Sequence, residues 1–398
     1  MRKISGNKVR FGIVGVGVMG RHHARAIVDD RSGDFMLGAV ADFFEGPARS
    51  AGEEFGVPWF TDPDKMFNSG LVDAVLIVTP HYWHPVQTIQ AARAGLHVLC
   101  EKPLAVTIGP ARQMIDECRK ADVALGAMLQ ARTRGCMKKM KEIISSGQLG
   151  QIHHVTMVVT NWYRTQAYYD SGAWRGTWDG EGGGILLNQA PHHLDIFQWL
   201  FGVPKRITAF LNTRLHRLEV ENTADVVCEF GNGHMGYIRA TTAQVPGEEK
   251  YIVNGDRGSL VCENGAVRIA LLDKPISEDI FANPETRADF IPAPKFQWAD
   301  VPVPKGGGDR LDVIRAFAGH ILRGEPMVAP GDEAFNELEM SNAMYLSGYG
   351  GNKPVDLPVD AQKIARLVVK MERDRSTGRG HGQRQKSERA LKKLMRQQ

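Results

Sequence analysis

The run Gly15-Val16-Gly17-Val18-Met19-Gly20, directly after the apolar segment Val9 to Val14, constrains this chain more than any other stretch. A G-x-G-x-x-G alone is a weak signal, and its value comes from context. Val9 to Val14 reads as a buried strand and Met19 to about Val28 as a helix, so the glycines fall at a strand-to-helix turn. There Gly15 permits the tight bend, Gly17 lets backbone approach a pyrophosphate, and Gly20 allows close helix–strand packing. The amides of Val18 and Met19 at the positive end of the helix dipole complete an anion cradle. A second apolar strand, Met36 to Ala41, ends at Asp42, about twenty residues past the last glycine, where a carboxylate binds a ribose 2′-hydroxyl. Asp42 would repel a 2′-phosphate, which favours NAD over NADP.

The βαβ rhythm continues through the first third of the chain. Helices are predicted near Pro47 to Phe55, Pro85 to Ala94 and Ile108 to Lys120, with strands near Val57 to Phe60, Ala74 to Val78, Leu96 to Leu99 and Val123 to Ala127. This pattern predicts an N-terminal α/β domain, a Rossmann-type doubly wound parallel sheet, over residues 1–128. Cys100-Glu101-Lys102-Pro103-Leu104 ends the strand Leu96 to Leu99, so a lysine is expected at a sheet edge near the reacting group of a bound dinucleotide.

Beyond a helix near Lys138 to Ser146 the periodicity changes to alternating strands, from Ile152 to Thr160 through Val267 to Leu271. One helix, Ile185 to Leu200, is embedded early among them. The expectation is an α+β domain over residues 129–355, a large, mostly antiparallel open sheet with helices on one face. A sheet with so few helices leaves a face free for a subunit interface. Pro275 to Pro304 reads as an irregular surface arm, and helices near Asp309 to Leu322 and Ala334 to Leu346 close the domain. Residues 356–398 form a C-terminal extension. From Met371 to Gln398 there are nine Lys/Arg against three Asp/Glu, so the net +4 of the whole chain sits in this end and the body is near neutral. The end lacks interleaved aromatics, which argues against nucleic acid and for a solvated, mobile or weakly helical tail. No apolar run reaches the ~18 residues a membrane span needs. Five scattered cysteines without a C-x-x-C pair argue against a metal cluster and fit a cytoplasmic location, as does the short polar start Met1 to Lys8.

Two further stretches carry chemistry. On a helix, Asn188, His192 and Asp195 fall at i, i+4 and i+7, and this line of amide, imidazole and carboxylate can orient a general base. The same pattern also suits a capped helix with a satisfied histidine and a surface aspartate. Asn161-Trp162-Tyr163-Arg164 and Ala173-Trp174-Arg175-Gly176-Thr177-Trp178 read as loops ahead of that helix. Their aromatics can stack on sugar C–H faces, while Arg164, Arg175 and Asn161 bond hydroxyls, a pocket for a neutral pyranose or cyclitol. Space-filling between domains is the alternative for these side chains.

Taken in order, the glycine turn, Thr79-Pro80 with His84, Glu101-Lys102-Pro103, Trp174-Arg175 and G-G-x-L-x-N-x-x-x-H-x-x-D at Gly183 to Asp195 resemble the Gfo/Idh/MocA oxidoreductase family, over about the first 350 residues. The resemblance implies that Lys102 and His192 are catalytic, that the Lys102–Pro103 bond is cis, and that Thr79, Pro80, His84 and Glu101 lie by the cofactor. It makes Trp174 and Arg175 the stronger substrate candidates beside Tyr163, Arg164, Asn188 and Asp195. It also implies a homodimer or homotetramer built on the open sheet face. The implied reaction is NAD-dependent oxidation of a secondary ring alcohol, with His192 taking the hydroxyl proton and Lys102 stabilising the oxygen. One departure stands out. Inositol-dehydrogenase-like members carry an aspartate where this chain has Asn188, which weakens any transfer of inositol specificity. Two alternatives use the same scaffold: a glycoside hydrolase or lyase with transient oxidation, and a non-catalytic NAD- and sugar-binding regulator.

Overall fold

Six parallel strands form the first sheet: β1 (Val9–Val14), β2 (Phe35–Ala41), β3 (Trp59–Phe60), β4 (Ala74–Ile77), β5 (His97–Cys100) and β6 (Leu125–Ala127). Their spatial order, β3-β2-β1-β4-β5-β6, reverses direction at β1/β4, the crevice where doubly wound sheets bind ligands at the carboxyl ends of their strands. Helices α1 (Val18–Asp29), α2 (Glu45–Phe55), α3 (Pro63–Phe67), α4 (His84–Arg93) and α5 (Ile108–Lys120) make the crossovers. The strands are buried on both faces, which is why they read as unbroken apolar runs. The computed structural model describes residues 4, 6–281, 293–377 and 382–396.

The second sheet has nine strands. Helix α6 (Gly135–Ser145) leads into β7 (Ile152–Val159), and α7 (Gln166–Asp170) and α8 (Pro191–Phe201) follow. Then come β8 (Arg206–Asn212), β9 (Thr223–Glu229), β10 (Met235–Thr241), β11 (Glu249–Gly255), β12 (Gly258–Glu263), β13 (Ala266–Leu271), α9 (Ile276–Asp279) and β14 (Ala299–Val301). The short β15 (Val355–Asp356) closes the far edge. Among the described strands of this sheet only β7 and β10 pair in parallel; the other pairs are antiparallel. Along β9, Ala224, Val226 and Cys228 are buried against the helices, while Asp225, Val227 and Glu229 face outward. Phe210, Val227 and Met235 leave large apolar side chains exposed on these strands.

Three expectations need correction. The helix predicted over Ile185 to Leu200 begins only at Pro191. Pro191 lacks an N–H and is suited to the first helical position, and three glycines precede the segment, Gly182 with φ +86°. The buried Glu221 carboxylate takes the amides of Gly184 and Leu186 into a turn instead. Asn188 therefore does not share a helix face with His192 and Asp195. Second, the division into consecutive domains fails at α10 (Arg310–Arg323). Its Val313, Ile314, Phe317 and Ile321 join the core of β1, β4 and β5, and Ala127 N–H donates to Ala329 O at 2.9 Å. The chain thus returns to the first sheet before α11 (Gly331–Gly348) packs under β8 and α8.

The third correction concerns the basic end. It holds two helices, α12 (Ala361–Arg375) and α13 (Gln383–Met395), not a mobile tail. Ile364, Val368 and Met371 give α12 an apolar stripe at i, i+4 and i+7. Helix α13 lies against α4, with Arg384 and Ser387 buried and the Trp83 indole donating to Gln383 Oε1 at 2.9 Å. Residues 378–381 and 397–398 of this end, and 282–292 of the expected surface arm, lie outside the described residues.

Candidate active site

The glycine turn has the geometry its spacing predicts. Gly15 adopts φ +90°, and a Cβ there would come within 2.8 Å of Val78 O. A Cβ on Gly20 would lie 1.9 Å from Gly15 O, so only glycine lets α1 start so close to the strand. A Cβ on Gly17 would meet nothing within 4 Å, leaving bare backbone open at the helix N-terminus. No side chain caps α1, so the amides of Val18 and Met19 are free of a side-chain acceptor. Asp42 follows β2; its carboxylate accepts from Val16 N at 3.0 Å and Phe44 N at 3.0 Å, which holds it beside the turn. These features fit a dinucleotide: an anion cradle with a carboxylate held beside it at the end of the second strand. Replacing Asp42 with alanine is expected to weaken NAD binding about 10-fold and to narrow the preference over NADP, read by titrating both reduced cofactors.

At the carboxyl end of β5 the Lys102–Pro103 bond is cis. Glu101 accepts from the Lys102 amide at 3.1 Å and pairs with His23 Nε2 of α1 at 2.8 Å. Burial pushes the Glu101 carboxyl up, but His23 and Lys102 outweigh it and hold it at about 2. The Lys102 ammonium donates to Asn188 O at 2.7 Å and lies 3.4 Å from Asn188 Oδ1. That carbonyl is available because the helix has not yet begun. Burial lowers the Lys102 pKa, opposed by the carboxylates of Glu101, Glu181 and Glu337.

His192 stands at the start of α8. Burial, then the charge of Lys102, lowers its pKa to about 3. Gln130 Nε2 is 3.4 Å from His192 Nε2, and His192 Nδ1 has no partner among the described residues. Asn188 Nδ2 also bonds the Glu181 carboxylate, whose other oxygen accepts from Gly176 N at 2.7 Å. Burial raises the Glu181 pKa to about 7 against the pull of Gly176, Arg175 and Lys102. Lys102, Asn188 and Glu181 thus form one connected polar network, with His192 in the field of the same ammonium.

Other expected site residues lie elsewhere or do something else. Asp195 is fully buried and takes Arg132 bidentately at 2.7 and 2.8 Å, with Gln198 as a third donor. It cannot reach a substrate; it fixes the turn Gln130–Thr133 that carries Gln130 to His192. His84 is wholly buried, with its two nitrogens on the carbonyls of Pro103 and Thr79 at 2.8 Å each. It ties the Thr79-Pro80 turn to the lysine turn rather than offering a free nitrogen to a cofactor. Thr79 Oγ1 donates to Gln87 at 2.6 Å, and Pro80 starts the turn His81–Trp83. Tyr163 is half exposed at the rim. Trp174 packs edge-on against His81, and Trp178 is core, edge-to-face with Tyr345 and Tyr349. Sequence reasoning missed Gln130, Tyr168, His23 and Glu181. Glu181 alone had a local signal, as an acid directly before the Gly182 to Gly184 run.

A doubly wound sheet with this cradle, joined to a second open-sheet domain that supplies a histidine, defines an NAD-binding oxidoreductase. Residues 9–128 match the NAD-binding Rossmann fold of the oxidoreductase family, and residues 137–261 match the GFO/IDH/MocA C-terminal domain. The chain belongs to the Gfo/Idh/MocA family. It is 29% identical to the myo-inositol 2-dehydrogenase of Thermotoga maritima over 265 residues, 64% of this chain and 75% of that one. Against the scyllo-inositol 2-dehydrogenase (NAD(+)) of Bacillus subtilis the identity is 25% over 266 residues, 64% of this chain and 73% of that one. The WlbA dehydrogenase of Chromobacterium violaceum, solved with NADH and UDP-GlcNAcA, superposes with TM-score 0.77 at 28% identity, covering 90% of this chain and 99% of that one.

Proposed function

We propose that the protein oxidises a secondary ring alcohol of a sugar, glycoside or cyclitol, with His192 as base and Lys102 stabilising the alcohol oxygen. The observation that carries this reading is the pairing of an uncharged, weakly bonded imidazole with a buried ammonium that has hydrogen-bonding capacity to spare. Lys102 Nζ has three N–H donors, and its acceptors among the described residues are the two oxygens of Asn188. A third N–H remains for a substrate oxygen as negative charge develops on it. His192 is neutral above about pH 3, so one ring nitrogen is ready to take the hydroxyl proton. Bound NAD supplies the hydride acceptor. Glu101, held by His23, keeps the lysine turn and its charge in place. The inositol dehydrogenases among the relatives and the sugar nucleotide in the WlbA structure support a polyhydroxylated ring as substrate.

The test is NADH formation across a panel of sugars, glycosides and cyclitols. Absence of net NADH with release of a cleaved product would favour the transient-oxidation alternative. Asn188→Asp probes the network within the active protein. A carboxylate here favours the protonated forms of both Lys102 and His192, so both limbs of the kcat/KM pH profile are expected to move to higher pH. An unchanged profile would remove Asn188 from the catalytic network.

A further inference from the structure

Two arginines flank the site without an ion-pair partner among the described residues. Arg164 follows β7, and Arg175 precedes the Gly176 turn. The Arg164 guanidinium carbon is 4.8 Å from the centre of the Tyr168 ring and 5.3 Å from that of Trp162. The Arg175 guanidinium carbon is 4.6 Å from the centre of Tyr168 and 4.4 Å from that of Trp174. Both cations therefore stack against one tyrosine. Arg175 NH1 donates to the Tyr168 hydroxyl at 2.9 Å, and that hydroxyl is 3.5 Å from Asn188 Nδ2 and from Gln189 Nε2. The pair is thus one side chain removed from the residue that holds Lys102.

The two buried arginines elsewhere are matched: Arg132 with Asp195 and Glu333, Arg384 with Glu372 and Glu388. Arg164 instead donates NH1 to the Tyr163 carbonyl, and its Nε is buried with no partner among the described residues. Neither Arg164 nor Arg175 forms an ion pair among the described residues. The nearby carboxyl, Glu181, already serves Gly176 and Asn188. Stacking on aromatic rings fixes the planes of the two guanidinium groups while leaving their in-plane N–H donors free. Planar forks of this kind match the paired oxygens of a carboxylate or phosphate. A neutral sugar would leave both forks without a paired oxyanion, since Glu181, though in the field of Arg175, has its oxygens taken.

We propose that Arg164 and Arg175 bind an oxyanion carried by the substrate, so that the ring oxidised at Lys102 and His192 belongs to an acidic sugar or a sugar phosphate ester. This rests on the dehydrogenase reading for the chemistry but not for the binding. It narrows the neutral pyranose or cyclitol expected from the loop composition.

The experiment measures binding to the NADH-loaded protein by calorimetry and turnover by NADH absorbance. The probes are glucose, myo-inositol, glucuronate, UDP-glucose and UDP-glucuronate. At least one anionic probe is expected to bind 10-fold or more tighter than its neutral counterpart, and the advantage should shrink as salt rises. Arg164→Gln and Arg175→Gln should each weaken that probe roughly 10- to 100-fold, with NADH affinity and melting temperature retained. Glucuronate against UDP-glucose separates a ring carboxylate from a diphosphate as the group recognised. Neutral probes binding as tightly as anionic ones, or no probe binding at all, would overturn the inference; so would arginine variants that fold and bind unchanged. If a variant fails to fold, the neutral-versus-anionic comparison and its salt dependence in the unaltered protein still decide. Arginine-dependent binding without NADH formation would fault the dehydrogenase reading alone. NADH formation from neutral sugars alone, without an anionic preference, would fault this inference alone.

Discussion

Lys102→Met is expected to lower kcat by about 10²–10³-fold, the usual cost of deleting a donor aimed at developing oxygen charge. Methionine keeps the length and apolar stem of lysine but has no N–H. Lys102 Nζ reaches Asn188 O at 2.7 Å, so the substitution also leaves that carbonyl without its partner and removes the positive charge shared by Glu101 and Glu181. Glu101 keeps His23 at 2.8 Å, and the glycine cradle is untouched. NADH affinity and melting temperature should therefore change far less than turnover. The deciding measurement is kcat on an alcohol that yields NADH, alongside NADH fluorescence titration and thermal melting. Near-normal kcat in a folded, NADH-binding variant would sink the role given to Lys102. A fall in KM-related affinity with kcat intact would make Lys102 a binding residue only.

Much of the first sheet was legible because its strands are buried on both faces and so read as short apolar runs between turn residues. The glycine cradle was legible for a sharper reason: Gly15 and Gly20 occupy positions where any Cβ collides with backbone. The second sheet showed through its alternation, since β9 and β10 bury one face and expose the other. What failed depended on partners distant in sequence. Nothing near Asp195 announces that Arg132, sixty-three residues earlier, claims both its oxygens. The turn over 184–190 is set by Glu221, from a segment beyond α8, and by Pro191, which delays the helix. The basic end read as solvated because its charge hid the stripe of Ile364, Val368 and Met371 and the docking of α13 on α4. Lys102 and Asn188 were both singled out from sequence, but their contact spans 86 residues and exists only because the helix starts late.

His192→Ala is expected to lower kcat by about 10²–10⁴-fold, the range for losing a positioned base. The pH dependence of the unaltered protein makes the stronger test. A histidine with an ordinary pKa would lose activity as the pH fell through about 6.5. Burial and the Lys102 charge instead hold His192 at about 3, so its neutral form persists across that range. The group in this site that titrates near neutrality is Glu181, raised to about 7 by burial. Below that pH it is uncharged; above it, its negative charge favours the ammonium of Lys102 but offsets part of that cation's pull on the developing substrate oxyanion. The kcat/KM profile should therefore fall modestly as the pH rises through about 7, without collapsing on the acidic side. Glu181→Gln should abolish that step, because glutamine keeps an acceptor for Asn188 but carries no titrating proton. On the alkaline side activity should fall below the ordinary lysine pKa, since burial makes Lys102 lose its proton early. A steep acidic loss centred near pH 6.5 that Glu181→Gln leaves in place would mean that the base is not the buried, uncharged imidazole at the start of α8.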